Sequence, residues 1–106
     1  MEEVRLRWTH RAKDDLLSIG RFIARDRPAA ARAFVAKLQV RARRAAKFPR
    51  SGRVVPELRI EGVREVIEGN YRIVYRITTV SVDVLTVFDG HQLFPEDASP
   101  DKPDLK

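Results

Sequence analysis

Residues 63–77 read VREVIEGNYRIVYRI. Tyr71, Ile73, Tyr75 and Ile77 alternate with Arg72, Val74 and Arg76, the period of two that sends successive side chains to opposite faces of a sheet. Val63 to Ile67 is a second β-branched run, and Gly69-Asn70 between the two supplies turn chemistry. A third run, Val80 to Phe88, follows after Thr79. Short links make the three strands antiparallel neighbours. Tyr71 and Tyr75 share a side with Ile73 and Ile77, so they are expected in the core with a wet hydroxyl. Arg64, Glu65, Arg72 and Arg76 lie inside these strands, and each needs a partner or water.

Upstream the pattern changes. VRLRWT sets Val4, Leu6 and Trp8 against Arg5, Arg7 and Thr9, a half-buried strand. Thr9 can cap a helix in which Ala12, Leu16, Ile19 and Ile23 form one apolar stripe, widened by Gly20. Pro28 suits the first turn of a second helix, with Ala31, Phe34, Val35, Leu38, Ala42 and Ala45 on one face. Pro49 ends it. The few residues between the helices predict a helical hairpin. Residues 49–62, rich in Pro and Gly, read as a loop with a short edge strand. The order β-α-α-β-β-β indicates an α+β fold, an N-terminal helical hairpin packed on one face of an antiparallel sheet. The other sheet face, or its C-terminal end, is left for function. One domain over residues 1–95 is expected, followed by a disordered C-terminal tail at 96–106 that holds two prolines and little that is apolar.

The 106 residues are 43% hydrophobic and 34% charged, with a net charge of +6. The charge is uneven. Residues 1–53 carry 15 Lys/Arg against 5 Asp/Glu, a net +10, and residues 54–106 carry 6 against 10, a net −4. The basic half suits an anionic partner, nucleic acid or an acidic protein segment, and it also reads as a solvated Arg-rich helical face. The absence of cysteine excludes a disulfide framework and any thiolate metal site. His10 and His91 are too far apart in sequence to suggest a metal site, and no phosphate-binding or dinucleotide motif is present. No metal and no cofactor are expected. Ser18, Ser51 and Ser81 lack a nucleophile context. No run approaches the roughly 20 apolar residues of a membrane span, and MEEVRLRW lacks a signal-peptide core, so a cytoplasmic protein is expected.

Metal-free cleavage of RNA would need a base, an acid and cations around phosphorus. Glu57 or His91 could move protons, and Arg53, Arg64 and Arg72 could hold phosphate. Each has a plainer reading: Arg64 and Glu65 as an ion pair, Arg72 and Arg76 as snorkelling side chains over Val74, Glu57 and His91 as solvated loop residues.

The pieces W-T-x-x-A-x-x-D-L from Trp8, F-P-x-x-G-R-x-V-P-E from Phe48 and V-R-E-x-x-x-x-x-Y-R-I-V-Y-R-I from Val63 resemble the ParE/RelE superfamily of toxins from type II toxin–antitoxin pairs, across residues 4 to about 95. The resemblance implies the same β-α-α-β-β-β fold and a cognate antitoxin, ParD-like, whose acidic C-terminal segment wraps the toxin in a hetero-oligomer. ParE-like members poison DNA gyrase and carry no catalytic set. RelE-like members cut mRNA on the ribosome, and in one sub-branch Glu57, Arg64 and His91 would match the catalytic set. The tyrosine of that set would be Gln92, which cannot stack on a base as a tyrosine ring does. The ending VFDGHQLFP resembles the ParE type, with Asp89 in place of a histidine and His91-Gln92 in place of an arginine pair. The ParE-like reading is therefore preferred: no catalytic residues, with Arg53, Arg64, Arg72, Arg76, His91 and Gln92 as contacts for antitoxin or target. Arg64, Arg72 and Arg76 are expected to project from the face free of helices, or toward its edge, where water or an acidic partner meets them.

Overall fold

The computed structural model describes residues 4–101. The acidic N-terminal residues 1–3 and the tail residues 102–106 lie outside them. Eight elements follow in order: β1 (Arg5–Trp8), α1 (His10–Ala24), α2 (Pro28–Lys47), a 3₁₀ turn (Pro49–Ser51), β2 (Arg53–Val54), β3 (Val63–Glu68), β4 (Tyr71–Ile77) and β5 (Ser81–Asp89). The five strands form one sheet ordered β1-β5-β4-β3-β2. The β3–β4 hairpin turns at Gly69-Asn70, where Gly69 adopts the positive φ of 61° that this tight turn demands.

The hairpin helices cover one face. Ala12, Ile19, Leu38, Ala42 and Ala45 pack there against Val66, Ile73, Tyr75, Val82, Val84 and Val87. Alanines along α2 let the helix approach the sheet closely. Tyr75 is fully buried in this layer and Tyr71 is half-buried, as their alternation predicts.

The sheet is mixed rather than wholly antiparallel, because β1 joins β5 in parallel, Arg5 opposite Ser81 and Trp8 opposite Val84. The intervening helices and hairpin supply the long crossover that a parallel pair requires. Beyond Trp8 the chain turns into α1, and side chains take over the ladder. Thr9 Oγ1 bonds the carbonyls of Val84 and Leu85 at 2.9 and 3.1 Å and accepts the Ala12 N–H at 3.1 Å as the helix cap. One turn on, the Asp15 carboxylate accepts the Val87 N–H at 2.9 Å and the Thr86 hydroxyl at 2.6 Å. This lies beside the register shift between β4 and β5 at Val74/Tyr75. The N-cap Thr9 and Asp15 of α1 thus satisfy a stretch of β5 beyond the end of β1.

The second sheet face is not bare. Val55, Val63, Val74, Leu85 and Phe88 form a smaller apolar cluster, with Leu58 and Phe94 packed on it. Two segments therefore lie over this face, the loop after β2 and the chain after β5. Of the tail expected at 96–106, the described part ends at Asp101. Ala98 is buried, Asp97 pairs with Arg11, and the Pro100 carbonyl accepts a bond from Arg76 at 2.5 Å.

Candidate functional site

Across the β3–β4 ladder Ile67 faces Arg72, Glu65 faces Val74, and Arg64 faces Tyr75. Side chains of directly opposed residues share a face. Arg72 and Arg76 therefore lie on the face of the smaller cluster, while Arg64 lies with Tyr75 on the helix face. The expectation that all three project from one open surface is corrected here. The tight hairpin fixes the register, and with it the face of each side chain.

Arg72 is the hub of a closed network. Its Nε donates to Glu65 Oε1 at 2.7 Å, and its two terminal nitrogens grip both oxygens of Glu57 at 2.8 and 2.7 Å. Glu65 is buried and takes a second bond from Arg53 Nε at 2.5 Å. The Arg72 guanidinium sits 4.9 Å from the Phe88 ring centre and 5.8 Å from that of Phe94. The fork holds the Glu57 carboxyl at about 2, against an opposing effect of burial. The same bonds push Arg72 upward. The acidic partners of Arg72 are thus residues of its own chain rather than water or a second protein. Arg76 likewise meets an internal carbonyl at Pro100.

A second arrangement joins the loop before β2 to the sheet. The Tyr75 hydroxyl donates to the Pro49 carbonyl at 2.6 Å. Arg64 donates to the carbonyls of Gly52 and Glu61, both at 3.0 Å, and pairs with the Glu61 carboxylate, so Glu65 is not its ion-pair partner. Burial raises the Tyr75 hydroxyl, and the nearby Arg64 and Arg41 oppose that shift. A Cβ on Gly52 would lie 2.3 Å from the Tyr75 hydroxyl oxygen and 2.7 Å from the Glu65 carbonyl, so only glycine fits.

His91 and Gln92 stand in the turn after β5. His91 is exposed, and its Nδ1 lies 2.8 Å from Asp89 Oδ1. Asp89 is lowered chiefly by the His91 backbone N–H and then by the ring. Gln92 bonds through its backbone to Asp89. Glu57, Arg64 and His91 are thus dispersed: Glu57 is locked to Arg72, Arg64 faces the other side of the sheet, and His91 leans on Asp89. Among the described residues no group of three or more His, Cys, Asp or Glu could hold a metal ion, and no helix is long and apolar enough to cross a membrane.

Between α1 and α2 runs an open apolar groove of about 680 Å³, walled by Leu16, Leu17, Ala24, Ala31 and Val35. Gly20 forms its floor and brings the helices together, since a Cβ there would touch Val35 at 3.4 Å. Lys13, Arg21 and Arg32 rim it.

Residues 6–94 match the family described as the ParE toxin of the type II toxin–antitoxin system parDE. The chain belongs to the ParE toxin family. This toxin is 39% identical over 98 residues to the putative toxin Y4kP of Sinorhizobium fredii (strain NBRC 101917 / NGR234), covering 91% of this chain and 98% of that one. Its fold is similar to that in the chromosomal ParDE system from P. aeruginosa, with a TM-score of 0.69 at 19% identity over 82% of this chain and 96% of that chain. It is also similar to the toxin–antitoxin complex RelBE2 from Mycobacterium tuberculosis, with a TM-score of 0.59 at 24% identity over 83% of this chain and 99% of that chain.

Sequence reasoning singled out Arg53, Arg64 and Arg72 but missed what binds them. It passed over Glu65 as a hub and Asp15 as a ladder substitute. Glu65 was within reach: a two-residue turn at Gly69-Asn70 fixes Ile67 opposite Arg72 and so puts Glu65 on the face of Arg72. Glu57 was not, because its pairing depends on the path of an irregular loop. The groove wall offered a weak signal in Leu17, an apolar residue off the buried stripe of α1 and 55% exposed.

Proposed function

We propose that this ParE-family toxin acts in the cytoplasm by binding DNA gyrase, cuts no nucleic acid itself, and is neutralised in a hetero-oligomer by a cognate antitoxin with an acidic C-terminal segment. The observation that carries the non-catalytic reading is the fork between Arg72 and Glu57. A carboxylate held at about 2 is a poor proton acceptor at neutral pH, since a useful base has a pKa near the working pH. The separation of Arg64 from Glu57 by the sheet supports the same reading.

The groove between the helices supports the antitoxin reading. An amphipathic segment that orders on binding can bury apolar side chains on Leu16, Leu17 and Val35, with acidic residues meeting Lys13, Arg21 and Arg32. Arg53, His91 and Gln92 remain exposed and are the target contacts in this proposal. The deciding experiment pairs two assays on the purified chain. Loss of gyrase supercoiling, with intact mRNA on translating ribosomes, is expected. Ribosome-dependent cleavage abolished by Glu57→Ala or Arg64→Ala would replace this reading with a RelE-like one.

A further inference from the structure

We propose that the outer face of the C-terminal half of α2 is a docking surface for the phosphate backbone of duplex DNA, read without sequence preference. The helix PAAARAFVAKLQVRARRAAK carries six cations, Arg32, Lys37, Arg41, Arg43, Arg44 and Lys47, and no acidic residue. Five of them fall within the stretch from Lys37 to Lys47, a rise of about 15 Å at 1.5 Å per residue. Ala42, Ala45 and Ala46 in the same stretch are buried, so the cations project away from the core. Lys37, Arg43, Arg44 and Lys47 are exposed and Arg41 is half-buried. None of these five makes an ion pair or side-chain hydrogen bond with a described residue.

The arrangement works against the isolated fold. Lys37 and Arg41, and Arg43 and Lys47, are like charges four residues apart, each pair destabilising by about 0.2–0.5 kcal/mol. Attraction to the helix C-terminus offsets this only in the last turn, at Arg44 and Lys47. Among the described residues, three acids of the neighbouring loop and strand are already engaged elsewhere: Glu57 and Glu65 belong to Arg72 and Arg53, and Glu61 to Arg50 and Arg64. A polyanion relieves the repulsion.

Two features favour a duplex over an acidic polypeptide. A segment that folds on binding needs apolar surface to offset its ordering, and this face shows only Val40 among its cations and Phe48 just past its end as exposed large apolar side chains. The apolar groove lies on the other flank of α2, lined by Val35, Ala36 and Gln39. A duplex presents charge already fixed in space and gains from released counterions, with no need of apolar contact. Arginines also match phosphate with two parallel bonds. The surface stands apart from the gyrase reading and is tested without gyrase.

The test is fluorescence anisotropy of a labelled mixed-sequence 24-base-pair DNA (about two helical turns) with the purified full chain. Five phosphate contacts predict an affinity loss of about 500-fold between 50 and 200 mM KCl, from a slope near −0.9 per contact. The triple variant Arg43→Gln/Arg44→Gln/Lys47→Gln should lose only about 12-fold over that range, because two contacts remain. Arg21→Gln/Arg25→Gln/Arg27→Gln, with the same loss of charge at the far end of the hairpin, should behave as wild type. In the unmodified chain, the duplex should shield Arg43 and Arg44, but not Arg21 and Arg25, from phenylglyoxal. Equal weakening by both triple variants, absence of that shielding, or displacement of the duplex by polyglutamate at equal charge would each overturn the proposal.

Discussion

Arg72 grips Glu57 through both terminal nitrogens, at 2.8 and 2.7 Å, while its Nε holds Glu65 at 2.7 Å. One guanidinium thereby fastens a loop to the sheet and neutralises a buried carboxylate. Arg72→Ala would leave Glu65 buried with Arg53 alone. Removing one partner of a buried pair costs about 3–5 kcal/mol. Urea unfolding monitored by circular dichroism should show a loss in that range, whereas Arg53→Ala, on a side chain that is 62% exposed, should cost far less.

The same fork makes stability depend on acid. Glu57 has a folded pKa of about 2 against an ordinary value of 4.5. Its contribution is present above the ordinary value and is lost as pH falls through the folded one. The wild type should therefore lose stability between pH 4.5 and 2 more steeply than Glu57→Gln, which cannot titrate there. Parallel melting curves of the two proteins across that window check it, and identical slopes would refute the assignment.

Gly52 and Tyr75 predict a coupled pair. Gly52→Ala places a methyl against the Tyr75 hydroxyl and the Glu65 carbonyl, an overpacking that costs about 1–3 kcal/mol. Tyr75→Phe removes the bond to Pro49 at a cost of about 1 kcal/mol. The double variant should be less damaged than the sum, because one of the two clashes has gone, yet remain below wild type because the backbone clash stays. A double-mutant cycle by chemical denaturation measures the coupling.

Asp15 should matter for folding rather than for toxicity alone. Asp15→Ala strips partners from the Val87 N–H and the Thr86 hydroxyl at the register shift of β5. Unsatisfied buried groups cost about 1–3 kcal/mol each. Hydrogen exchange should show faster exchange at the Val87 amide, with little change in the β3–β4 hairpin.

The groove prediction is read on the antitoxin. Leu17→Asp puts a charge on an exposed apolar wall, so the fold should tolerate it. Co-purification with the cognate antitoxin should fall at least tenfold, while thermal stability shifts by a few degrees at most. Unchanged capture would move the antitoxin's seat elsewhere.

Local pattern alone determined much of this protein. Alternation in VREVIEGNYRIVYRI, the apolar stripe from Ala12 to Ile23, the cap at Thr9, the helix start at Pro28 and the stop at Pro49 specify strands, helices and their order, because each depends on residues only a few positions apart. The motifs around Trp8, Phe48 and Val63 carried the family in the same way. Tertiary structure alone decided what the charged residues do. Whether β1 runs parallel to β5, whether Arg64 and Arg72 share a face, and whether Arg72 meets water or Glu57 all depend on residues brought together from distant parts of the chain. A guanidinium has the same local signature whether it is locked to a buried carboxylate, as Arg72 is, or exposed on a helix with no partner among the described residues, as Arg43 is. Only the packed chain separates the cations that hold the molecule together from those available to a partner.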